Sequence, residues 1–132
     1  MTASAEAPRS RRGRLTRSRD FDAVYRRGRS AANRHLVVYA FQRDAGDPAE
    51  GAARLGLSVS RKVGGAVERN RVKRVLREQF ALAGGILPAR TDVVVIARPG
   101  VAEYEAERGS SALGERLREL LERLAPAATV GR

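Results

Sequence analysis

With 132 residues, 42% of them hydrophobic, the chain can bury the core of one domain and not of two. Lys and Arg total 26 against 15 Asp and Glu, a formal +11 with a pI near 11.4, which favours a polyanionic partner: nucleic acid first, an acidic membrane surface second. Cysteine is absent, excluding a disulfide frame, a thiolate metal site and a cysteine nucleophile; no run reaches the roughly 18 apolar residues of a spanning helix and no signal-peptide core opens the chain, so a cytoplasmic protein is expected.

Residues 1–14, MTASAEAPRSRRGR, lack periodicity and end in a basic cluster, predicting a flexible arm that can reach phosphates without folding. From Ser18, a capping residue, Asp20 and Asp22 fall in the first turns and Phe21, Val24 and Tyr25 recur at helical spacing before Gly28, predicting a short amphipathic helix. A short strand is allowed near Arg29 to Asn33. LVVYAFQ, residues 36–42, is rich in β-branched and aromatic residues, and RLGLSVS, residues 54–60, alternates Leu55, Leu57 and Val59 with smaller or polar residues. Both read as strands, and the polar loop between them predicts a hairpin with an extended tip, Arg43 to Ala53.

Gly64 and Gly65 form a turn, and a helix is predicted from near Ala66 to about Leu82. Its apolar stripe is Val67, Val72, Val75, Leu76 and Phe80, with Asn70, Lys73, Arg74 and Arg77 gathered on another face. Gly84, Gly85 and Pro88 break the helix, DVVVIA at 92–97 is a short apolar run fit for a buried strand, and RPG ends it. SSALGERLRELLERL then places Leu113, Leu117, Leu120, Leu121 and Leu124 on one side of a closing helix, with Ser110 or Ser111 as cap and a frayed tail at 126–132. Helix, strand, strand, helix, strand, helix gives an α+β sandwich with one sheet, occupying residues 15–125. Its basic residues concentrate at 9–35 and 54–77, so one side is electropositive.

No constellation of side chains for catalysis emerges. His35 is the sole histidine and reads as a surface or packing residue. The carboxylates are scattered, and neither H-E-x-x-H nor a phosphate-binding G-x-x-x-x-G-K-[ST] loop occurs. Gly64-Gly65 is better read as a tight turn than as a phosphate cradle. RNRVKRVLRE, Arg69 to Glu78, carries five cations in ten residues; spacing alone supports a solvated face and a polyanion-binding face equally.

The segment Leu55 to Arg77 breaks that tie, because its S-V-S-R-K-V-G-x-A-V-x-R-N-R-x-K-R core closely resembles the signature of the protein subunit of bacterial ribonuclease P. The resemblance extends from about Leu15 to Leu124 and includes F-x-x-V-Y-x-x-G at Phe21 to Gly28 and N-R-x-L-V-V-Y at Asn33 to Tyr39. The long tip loop with GDPAEGAA departs from it. The resemblance implies helices flanking a mixed sheet, a left-handed crossover at the helix bearing R-N-R against the usual right-handed rule, and a fold like the second domain of ribosomal small-subunit protein five. It also implies a partner, a large catalytic RNA, and a substrate, precursor tRNA, whose 5′ leader is removed by phosphodiester hydrolysis. The RNA and its Mg²⁺ carry the chemistry; direct metal binding by the protein is left open, and no membrane or protein partner is called for.

Carried over residue by residue, Arg69, Asn70, Arg71, Lys73 and Arg74, with Arg77 on the same face, meet the catalytic RNA, where guanidinium forks suit phosphates. Arg71 has a second reading: it lies toward the core and can brace the helix instead. Phe21, Tyr25 and Tyr39, with Arg61 and Lys62, are implied to form a cleft for the leader, aromatic faces stacking bases and cations meeting phosphates. Aromatic residues at helical spacing are ordinarily core, and for Phe21 the two readings weigh equally; Phe41 and Phe80 are assigned to the core. The alternatives are a structural or ribosomal RNA-binding protein with the same basic helix, and a membrane-surface binder using Val72, Val75, Leu76 and Phe80 against lipid.

Overall fold

Four strands form one mixed sheet in the order β1-β2-β4-β3, with β1 at Arg29–Ala32, β2 at Leu36–Gln42, β3 at Arg54–Val59 and β4 at Thr91–Ala97. The computed structural model describes residues 14–16, 18–43 and 53–125; most of the predicted arm, the tip loop at 44–52 and the tail from 126 lie outside them. The helices are α1 (Ser18–Arg27), α2 (Ala66–Leu82), α3 (Val101–Arg108) and α4 (Ser110–Leu124). Arg14, placed in the arm by the sequence, makes a parallel bridge to Leu55 at the β3 edge.

The predicted hairpin of β2 and β3 does not form. β4 lies between them, antiparallel to β2 and parallel to β3, so α2 is the crossover connecting parallel neighbours. The cause is burial: β4 has only apolar side chains from Val93 to Ala97, four of the five buried, and such a run gains most at the centre of a sheet.

Strand alternation divides the side chains between two faces. Leu36, Val38 and Ala40 of β2, Leu55, Leu57 and Val59 of β3, and Val93, Val95 and Ala97 of β4 join the main core with α2, α3 and α4. Val72, Val75 and Leu76 are buried there and Phe80 packs against it, so this face of α2 is closed to lipid. Val67, predicted in the same stripe, is 79% exposed; it sits in the first turn of α2. All five leucines of the α4 stripe are buried. Helices α2 and α4 approach so closely that a Cβ at Gly114 would lie 2.0 Å from Gln79 Oε1.

Two local expectations fail. An additional helix, α3, follows Pro99 and Gly100; its sequence VAEYEAER carries too few apolar residues for a stripe, and its buried residues are Val101 and Glu105. The cap position of α4 is Gly109 rather than Ser110 or Ser111, and the Ser110 hydroxyl instead donates to Glu105 Oε2 at 3.2 Å.

Candidate nucleic-acid interface

The second face of the sheet is only partly covered. Helix α1 packs over it through Val24 and Phe21, making a small cluster with Leu15, Val94, Tyr39, Phe41 and Ile96. Phe21 rests on β3 at a glycine: a Cβ on Gly56 would stand 2.6 Å from Phe21 Cζ. At the other end of α1, Gly28 passes so near β2 that a Cβ there would lie 2.7 Å from the Ala40 carbonyl oxygen. Two glycines thus set the height of α1 over the sheet.

Phe21, Tyr25 and Tyr39 lie together, the grouping that the resemblance implied. The Tyr25 and Tyr39 rings meet edge to face at 5.1 Å, and Phe21 and Tyr25 are 6.4 Å apart. Phe21 is largely packing, whereas Tyr25 is 40% exposed; burial and then the neighbouring Tyr39 raise the Tyr25 pKa, so its phenol is neutral at physiological pH and offers a donor beside the ring. Phe41, assigned to the core, belongs to this face as well, with Arg27 over its ring at 5.2 Å.

Arg61 and Lys62 do not touch that cluster. Both are exposed in the turn after β3, which is closed by hydrogen bonds from Val63 N to Ser60 O at 3.0 Å and from Gly64 N to Arg61 O at 3.2 Å. Tyr39, Val94 and Gly56 lie in register across the sheet, and Ser60 is four residues beyond Gly56, roughly 13 Å at strand spacing. Val37, Ile96 and Ser58 are aligned on the intervening floor, three residues that motif reasoning missed because only strand register places them there.

Helix α2 supplies the cationic face. Asn70 and Arg74 are exposed, and Arg69, Lys73 and Arg77 are partly buried. None of these cations forms an ion pair within 4 Å of a described carboxylate, although the charge of Arg74 helps to lower the Glu105 pKa, and Arg69 Nε is buried without a hydrogen-bond partner among the described residues. Burial, with the charge of Arg14 nearby, lowers the Arg77 pKa from the ordinary guanidinium value. Charges held together without counterions favour an external anion. Arg71 is different: its guanidinium grips both oxygens of buried Glu105 on α3, the bracing role anticipated as its second reading.

An ion network invisible to spacing fixes α1 to the sheet. Asp92 of β4 is buried on the α1 side and accepts from Arg54 Nε at 2.9 Å and Nη2 at 2.8 Å, as well as from Arg43. Arg54 also lies 3.7 Å from Asp20 in the first turn of α1. Among the described residues no group of three or more His, Asp or Glu side chains could hold a metal ion, and no helix is long and apolar enough to cross a membrane.

One mixed sheet with a partly covered aromatic face, flanked by a helix rich in Arg and Lys, defines a small, strongly basic α+β protein. Comparison with known proteins narrows that class. The family described as Ribonuclease P matches residues 10–125. The ribonuclease P protein component of Brevibacillus brevis is 45% identical over 94 residues, covering 71% of each chain, and that of Acidothermus cellulolyticus is 48% identical over 91 residues, covering 69% of this chain and 73% of the other. Among solved structures, the RNase P protein from Thermotoga maritima superposes with a TM-score of 0.71 at 36% identity, covering 86% of this chain and 98% of that one. The Staphylococcus aureus RNase P protein gives 0.69 at 34%, covering 83% and 93%. The chain belongs to the ribonuclease P protein family.

Proposed function

We propose that this chain is the protein subunit of a ribonuclease P ribonucleoprotein, binding the catalytic RNA through α2 and the 5′ leader of precursor tRNA through the aromatic face, in the bacterial cytoplasm. Arg69, Asn70, Lys73, Arg74 and Arg77 meet phosphates and base edges of the catalytic RNA. Arg71 holds α2 against α3, keeping that face in place. Bases of the leader stack on Tyr25 and Tyr39 while the strand runs over Val37, Ile96 and Ser58 toward Arg61 and Lys62, a path of roughly 13 Å that takes about two to four nucleotides.

Hydrolysis of the phosphodiester bond is assigned to the RNA and its Mg²⁺. Among the described residues no group of three or more His, Asp or Glu side chains is placed to hold such an ion. The observation that carries the reading is the presence on one molecule of a partly exposed aromatic pair and a helix face whose cations form no ion pair within 4 Å among the described residues. The test is cleavage by the RNA-free protein: none at the mature 5′ end at any Mg²⁺ concentration is the expected result, and robust cleavage there overturns it.

A further inference from the structure

Where β2 begins and β4 ends, a cleft of about 630 Å³ opens between the β1–β2 connection, α3 and α4. It belongs neither to the aromatic floor nor to the α2 face. It holds a stacked pair, the rings of His35 and Tyr104, with centroids 4.3 Å apart and planes 29° from parallel. The Tyr104 hydroxyl accepts from Arg116 Nε at 3.2 Å, and the Arg108 guanidinium lies over the Tyr104 ring at 5.9 Å. His35 Nδ1 is buried with no hydrogen-bond partner among the described residues. Burial first, then the charges of Arg34 and Arg116, lower the His35 pKa, leaving a neutral imidazole whose ring can stack without added charge.

The cleft therefore offers three kinds of contact. The stacked rings leave an outer face on which a further π system can continue the stack. Arg34, Arg108 and Arg116 are donors only, and Glu103 and Glu107, one turn apart on α3, are acceptors only at neutral pH. A free phosphate would use the guanidiniums, meet two carboxylates and leave the rings idle. A nucleotide uses all three: its base lies on the rings, its phosphate meets Arg, and its base edge donates to a carboxylate. Among the RNA bases, guanine alone presents two adjacent N–H donors, N1 and N2, which both oxygens of one carboxylate can accept.

We propose that this cleft is a second nucleotide site and that it takes a guanine nucleotide of RNA. The proposal rests on reading the chain as an RNA-bound subunit; the nucleotide comes from the catalytic RNA or from precursor tRNA, and the two sources separate experimentally.

The first arm titrates the full-length protein with 5′-GMP, AMP, CMP and UMP, following backbone and side-chain NMR shifts. GMP is expected to bind most tightly, with shifts at Arg34, His35 and Tyr104. Tyr104→Ala should weaken it roughly tenfold through loss of stacking, and Glu103→Gln with Glu107→Gln, both at exposed positions, should abolish the preference for GMP over AMP without affecting folding. Equal affinity for all four nucleotides, or shifts confined to other surfaces, overturns the proposal. The second arm assembles the same variants with a bacterial ribonuclease P RNA. Weaker assembly assigns the nucleotide to that RNA; normal assembly with weaker precursor binding assigns it to the tRNA. If Arg69→Ala and Arg74→Ala weaken assembly while the α3 variants change neither step, the cleft is not an RNA site and the subunit reading stands. If the wild-type chain fails to bind the RNA, that reading itself is lost.

Discussion

Arg71 and Glu105 are joined at two points, Nε to Oε1 at 2.8 Å and Nη2 to Oε2 at 3.0 Å, across the junction of α2 and α3. The Glu105 side chain is 1% exposed and the Arg71 side chain about half exposed, so the carboxylate depends on the guanidinium far more than the reverse. One residue of the R-N-R motif is thus committed to the fold, and it holds the helix that presents the others.

Arg71→Ala should therefore lower the melting temperature, while Arg74→Ala, at an exposed position without an ion pair, should not. The pair also predicts a pH window. The hydrogen bond from Arg71, its charge, the hydrogen bond from Ser110 and the charge of Arg74 hold the Glu105 carboxyl below its ordinary value, outweighing burial. A folded pKa below the unfolded one, about 4.3, means that the contribution is fully present above that pH and is lost as pH falls through the folded pKa. The gap in unfolding free energy between wild type and Glu105→Gln, measured by urea titration, should be constant near neutrality and shrink only below about pH 4. A gap that grows on acidification contradicts the assignment.

Gly56→Ala tests how α1 is seated. The added methyl would sit 2.6 Å from the Phe21 ring, so either Phe21 moves or the helix lifts, at a cost of about 1–3 kcal/mol. Chemical denaturation should show that loss, and leader binding should weaken with it. A variant of unchanged stability would mean that Phe21 is not packed on β3.

These examples show which parts of the molecule local sequence carries. The bounds of helix α2, near Ala66 and about Leu82, were legible because Gly65 and the glycines after Leu82 bracket it. β2 followed from its β-branched and aromatic composition and the faces of β3 from alternation, but their pairing did not: the insertion of β4 beside β3 joins residues 38 positions apart, for which the loop signals speak only of neighbours. Helix α3 was missed because its buried charge, Glu105, is stable only opposite Arg71, a partner that spacing along α3 cannot reveal. His35 packs, as its reading as a surface or packing residue allows, but its stacking partner Tyr104 lies on that unforeseen helix. At the candidate interface the Phe21, Tyr25 and Tyr39 grouping was legible through resemblance, whereas the floor of Val37, Ile96 and Ser58 required the register.

Arg69→Ala and Arg74→Ala should each weaken binding to the catalytic RNA and reduce the slope of log affinity against log salt by about 0.7–0.9, the counterion release of one lost phosphate contact. Filter binding across salt concentrations measures it. Unchanged slope with intact circular dichroism would return this face to solvent.

Tyr39→Ala should weaken holoenzyme binding to precursor tRNA by about 1–3 kcal/mol if the ring stacks on a leader base, and leave binding to mature tRNA nearly unchanged. Measuring both ligands controls for loosened packing, which would lower both affinities together. Equal losses would reject stacking at Tyr39.

The most direct measurement is reconstitution: cleavage of precursor tRNA by a bacterial ribonuclease P RNA at low Mg²⁺, with and without this protein. The account predicts little cleavage by the RNA alone and efficient release of the 5′ leader when the protein is added. A protein that binds the RNA yet leaves its Mg²⁺ requirement unchanged would be a structural RNA-binding protein, and that result would contradict the account.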